Sequence, residues 1–170
     1  MTMTAVEAPM TEYLFSVYGT SVRYATASPL LAPPVNELLK HFQRDSIEKS
    51  VPLSLCFLAV QDRADIPLTM SSSARQLSSG TGAAVGDRRE TGLPYEVVQD
   101  GGLLIADFFD VGVLVMDGVQ GRADGYLIKP ETMHADLIEY LFHLALIELL
   151  RRRGLSRSMR LRWRDMGAGS

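Results

Sequence analysis

One cysteine, one tryptophan, three histidines and three lysines occur among 170 residues, and each shortage excludes something. A lone cysteine, Cys56, cannot close an intramolecular disulfide; inside the apolar run Leu53–Val60 it reads as a small buried hydrophobe in a reducing cytosol. The three lysines, Lys40, Lys49 and Lys129, follow Leu39, Glu48 and Ile128. No Gly-Lys pair therefore exists, and no standard phosphate-cradling P-loop can be written. His134 and His143 do not have the i, i+4 spacing that places two zinc ligands on one helical face, and His41 belongs to another element, so no metal site is expected. No Gly-x-Ser-x-Gly elbow marks a serine nucleophile. The opening residues lack a basic segment followed by an apolar core, so no secretory signal is expected. The longest apolar helical stretch, Leu137–Leu150, contains Glu139, His143 and Glu148 and is too short and too polar to span a bilayer. Cytoplasmic location is the expectation.

What is present is ordinary in bulk and uneven in distribution. Hydrophobic residues make up 46% and charged residues 22%, as in a globular chain of one domain. The net charge of −3 conceals two regions. Through Leu150, ten Lys+Arg oppose nineteen Asp+Glu; from Arg151 onward, seven arginines oppose Asp165 alone. The basic segment has Trp163 as its sole aromatic, a weak footprint for stacking on nucleic acid. Neither a nucleic-acid partner nor membrane insertion is expected.

Local patterns divide the chain into a disordered leader (1–11), one α+β domain (12–155) and an irregular basic tail (156–170). Tyr13–Tyr18 and Ser21–Thr26, separated by Gly19-Thr20, read as a hairpin. Pro33-Pro34 opens a helix over Val35–Arg44, with Val35, Leu38, Leu39 and Phe42 on one face. Leu53–Gln61 reads as a strand buried on both faces. Met70–Gly92, rich in Ser, Gly and Thr, reads as a mobile surface loop. Four runs then follow, Tyr95–Gln99, Leu103–Phe109, Val111–Met116 and Val119–Ile128. The turns Asp100-Gly101 and Asp117-Gly118 predict an antiparallel meander, and Asp124-Gly125 a bulge or further turn. Pro130-Glu131 starts the long closing helix, near 131–153, with Arg151–Arg153 at its C-terminal end and Gly154 as its cap. The fold expected is one antiparallel sheet covered by two principal helices.

Candidate chemistry is sparse. Gly80-Thr81-Gly82-Ala83-Ala84-Val85-Gly86 superficially resembles a dinucleotide-binding turn, but its last glycine is one residue late and no strand leads into it. Asp107 and Asp110 flank Phe108-Phe109 and read as solvated turn residues. No catalytic, cofactor-binding or metal-ligating residue is assigned. The closing helix carries apolar residues at 137, 138, 141, 142, 144 to 147, 149 and 150, more than one stripe can hold. Such a helix is either wrapped within this domain's own core or buried on two sides against a partner or missing domain, and in the second case Ile138, Phe142, Leu146 and Leu150 are the residues expected to dock the partner.

The segment His143-Leu-Ala-Leu-Ile-Glu-Leu-Leu-Arg-Arg-Arg-Gly-Leu155 resembles the helix that leads into the kinase domain of HPr kinase-related bacterial P-loop proteins. The preceding meander and the Pro130-Glu131 helix start are similar too, so the resemblance covers about residues 12–155. It implies a non-catalytic N-terminal domain that positions a substrate or regulates a kinase half. ATP and Mg would belong to that half, not to this chain, which is expected to be inactive alone. Its implied partner is the kinase domain or another protein, with self-association a further expectation. The alternative is an independent small protein-binding module docking through its closing helix. In the resembled proteins Arg-Gly-Leu is followed by a strand carrying His-Ala-Ala and then the P-loop; this sequence departs immediately after Leu155. Read from the third base of each codon, Ser158–Gly167 permits His-Ala-Ala-Ala-Val-Glu-Gly-His-Gly. The tail is accordingly expected to be a frameshift product, and the chain a front half that has lost its catalytic partner.

Overall fold

A computed structural model describes residues 9–17, 19–42, 53–82 and 92–152. The leader through residue 8 and the tail from residue 153, including Gly154 and its capping role, lie outside the described residues. Eight strands form one open sheet in the order β1-β2-β3-β8-β7-β6-β5-β4. The strands are β1 Thr11–Val17, β2 Thr20–Thr26, β3 Leu53–Val60, β4 Arg75–Gly82, β5 Leu93–Asp100, β6 Leu103–Asp107, β7 Gly112–Asp117 and β8 Arg122–Ile128. Helices α1 (Pro33–Leu39) and α2 (Ala135–Arg152) pack against each other, and α2 lies on β7, β8 and β3. The class is α+β, as the residue pattern implies.

The sheet is mixed rather than antiparallel. β3 lies between β2 and β8 and is parallel to both, with Tyr24 opposite Leu55 and Phe57 opposite Gly125. An apolar run records burial, not chain direction, so the two parallel pairings leave no mark in the sequence. β3 buries Leu53, Leu55 and Phe57 on the helix side, whereas Ser54, Cys56 and Leu58 are half-buried on the other face.

The core centres on three rings. Tyr24, Phe57 and Phe142 meet edge to face with centroids 5.1 to 5.9 Å apart. The Tyr24 hydroxyl donates to the Leu31 carbonyl at 2.5 Å, and burial pushes its phenol far up. Gly125 continues β8 without a turn or bulge; a Cβ there would sit 2.7 Å from the Phe57 ring, so the ring needs a residue without a side chain.

Three local expectations change. Met70–Gly92 is not all loop, because Arg75–Gly82 forms the edge strand β4, paired antiparallel with β5. β4 is held by its backbone ladder, and its polar, largely exposed side chains carry no period-2 apolar signal. The β7–β8 turn spans Gly118–Gly121, where Gly121 takes the positive φ of 67° and the Asp117 carboxylate accepts from Val119 and Gln120 N–H. The strand consequently begins at Arg122, with Val119 exposed. Pro130-Glu131 begins a 3-10 turn, Pro130–Thr132, rather than α2. The helix starts afresh at Ala135, where His134 Nδ1 accepts the Asp136 N–H at 3.2 Å.

The face opposite the helices is half covered. After β3, residues 61–74 cross it to reach β4 at the far edge, placing Ile66, Leu68 and Ala74 on Val98, Ile105 and Val113. Both ends of this strap are fastened. Arg63 donates to both Asp107 carboxylate oxygens at 2.8 and 2.5 Å and to the Phe109 carbonyl, while the Ser71 backbone N–H donates to Asp100 at 2.7 Å.

Candidate functional site

Because α1 and α2 pair over one half of the sheet, the helix-side face of β4, β5 and β6 lacks a full cover among the described residues. A groove of about 340 Å³ remains there. Its floor is Val97 from β5, Leu104 and Ala106 from β6, and Leu114 and Met116 from β7. Its wall is Tyr140, Leu144 and Glu148 of α2, and Tyr95 and Gly82 stand at the sheet-edge end. Tyr140, Leu144 and Glu148 are successive i, i+4 positions, one stripe of the helix.

The four residues expected to dock a partner lie elsewhere. Ile138, Phe142, Leu146 and Leu150 are 3%, 0%, 0% and 5% exposed, inside the main core. They are covered by this domain's own strands and helix, which corrects the docking face. Two residues along an α-helix turn it by about 200°, so the groove stripe starting at Tyr140 faces away from the stripe starting at Ile138. The usable signal was the surplus of apolar positions. Leu144 belongs to that surplus, and Tyr140 lies one turn before it. Nothing in the sequence places Tyr95, Val97 and Gly82 opposite them.

The groove is nearly uncharged. Burial and the neighbouring Tyr95 push the Tyr140 phenol up. Burial also opposes ionisation of Glu148, but hydrogen bonds from Arg151 (2.5 and 3.0 Å) and Arg152 (3.2 Å) outweigh it and hold its carboxyl below the usual range. The two described arginines at the acidic-to-basic junction thus neutralise Glu148 at one end of the groove, besides sitting at the negative end of the helix macrodipole.

The remaining sequence candidates separate. Asp107 is not a solvated turn residue: it is 5% exposed and clamped by Arg63, a partner 44 residues away that no local pattern could indicate. Asp110 is exposed. Cys56 is half-buried on the strap-side face, where burial and then Asp124 push its thiol up against the opposing pull of Arg122. His41 is exposed, while His143 is half-buried on α2, and burial lowers its pKa. Gly80 and Gly82 lie within β4, so a strand does contain the start of the glycine-rich segment; residues 83–86 lie outside the described residues. Among the described residues no three His, Cys, Asp or Glu side chains gather as metal ligands, and no helix is long and apolar enough to cross a membrane.

Comparison with protein-family models, curated proteins and solved structures gives no match.

Proposed function

We propose that this chain is the non-catalytic front domain of an HPr kinase-like protein, positioning or regulating a polypeptide rather than transferring phosphate. One observation carries the reading: α2, whose C-terminal sequence supplies the resemblance, is also the wall of the apolar groove. A neutral, open-ended groove on one side of a rigid sheet suits docking of a chain segment. In this reading the kinase half, with its ATP and Mg, is encoded after Leu155. The basic residues Ser156–Ser170 are then a shifted reading of that region. The DNA following codon 155, translated in all three frames, tests it. A P-loop within a few dozen codons in another frame is the expected result, and its absence from every frame overturns the kinase context.

A second reading survives that outcome. The groove is lined entirely by one domain, so an independent protein-binding module would need nothing downstream to complete it.

A further inference from the structure

β4 is the last strand of the sheet, and among the described residues only β5 pairs with it. Among the described residues its outer backbone edge is therefore open, and its residues are exposed from Arg75 through Thr81. Edge strands are ordinarily blunted by charge, proline, bulges or brevity; β4 has Arg75 at its start and a register shift at Gln76/Ser78, but from Ser78 to Gly82 it has no charge, no proline and no irregularity. The edge is also continuous with the groove. Ser78 and Gly80 pair with Val97 and Tyr95, which line it, and Gly82 lines it directly. A Cβ at Gly80 would lie 3.6 Å from the Tyr95 hydroxyl, and one at Gly82 would lie 3.3 Å from the Tyr140 hydroxyl. Small residues thus carry the groove floor out to the sheet edge, where two phenols stand over it.

We infer that an extended segment of another polypeptide adds as a ninth strand along β4 and turns an uncharged apolar or aromatic side chain into the groove. The open edge specifies an extended backbone, because only a strand supplies alternating donors and acceptors along it. Charge complementarity specifies the side chain. The one ionised group of the lining, Glu148, is already engaged by Arg151 and Arg152, so a charged occupant would be desolvated without a partner. This inference rests on the docking reading above and names its occupant.

The full chain is titrated with a fluorescein-labelled probe, acetyl-Thr-Val-Thr-Phe-Thr-Val-Thr-amide, by fluorescence polarisation. Three comparison peptides are used: one with Asp replacing Phe, one with Ala replacing Phe, and one N-methylated at every residue except Phe. Saturable binding of the parent is expected, with affinity falling about tenfold or more for the Asp and N-methylated peptides, a ΔΔG of about 1.4 kcal/mol or more. Hydrogen exchange should slow at residues 75–82 on binding. Gly80→Val, whose Cβ meets Tyr95 at ordinary contact distance, should weaken binding similarly while keeping the fold; Ser78→Val serves if it does not fold. Equal binding of the N-methylated peptide overturns strand addition while leaving groove docking in place. No binding of any peptide overturns the inference. So does a free protein that sediments as a dimer with β4 amides already protected, since a second copy then holds the edge.

Discussion

The two halves of the sheet are built on different terms. The half formed by β1, β2, β3 and β8 lies under α1 and α2 and fully buries Phe15, Val22, Tyr24, Leu55, Phe57 and Leu127 on its helix side. Beyond β7, on which α2 also rests, the half formed by β4 to β6 has the strap on one face and an open groove on the other, and its last strand is exposed along nearly its whole length. Close packing is concentrated where the rings of Tyr24, Phe57 and Phe142 meet; unfilled apolar surface is concentrated where α2 stands beside β5. The contrast separates the part that holds the fold from the part available to a partner.

Truncating the centre of the covered half should have the largest effect. Phe142→Ala removes a fully buried ring packed on Tyr24 and Phe57 and should destabilise the chain by about 3–5 kcal/mol in urea denaturation. On the same helix but facing the groove, Leu144→Ala should cost about 1 kcal/mol or less, because its side chain is only half-buried. Equal losses at the two positions would erase the distinction.

The next effect concerns the strap. Asp107→Ala leaves Arg63 half-exposed and able to rehydrate, so the loss should be about 1–2 kcal/mol rather than that of a wholly buried pair. It should appear as faster hydrogen exchange in residues 61–74 and in β6, with β3 and β8 unchanged. Faster exchange spread evenly through the sheet would show that the strap belongs to the global core.

The smallest effect is a pH dependence. Burial lowers the folded-state pKa of His143 below its unfolded value, so near neutral pH and below the unfolded chain binds the extra proton first. The stability available when this group is neutral is therefore lost as pH falls below the unfolded-state value and through the lower folded-state one. His143→Gln should flatten that part of the stability–pH curve, read from urea midpoints, and an unchanged slope would remove His143 as its cause.

Much of the covered half was legible in the sequence because its signals are local. Tyr13–Tyr18 and Ser21–Thr26 around Gly19 mark the first hairpin and Pro33-Pro34 the start of α1; in the other half Asp100-Gly101 marks the β5–β6 turn. Three features were not legible, each for a reason of range. β4, Ser, Gly and Thr after Arg75, Gln76 and Leu77, takes its order from pairing, not from apolar alternation. The parallel placement of β3 depends on which strands flank it. The Arg63–Asp107 clamp joins residues far apart in the chain. The groove was half legible: an excess of apolar residues on α2 announced a second contact surface, yet only the placement of β5 beside Tyr140 and Leu144 shows which stripe provides it.

The central question is whether the native groove accepts apolar matter. An environment-sensitive apolar dye titrated into the folded protein should fluoresce on saturable binding, and Leu144→Gln should abolish that signal while moving the melting temperature by only a few degrees, as expected for a roughly 1 kcal/mol change. Dye binding that is undiminished in folded Leu144→Gln would contradict the assignment of the groove as the docking surface.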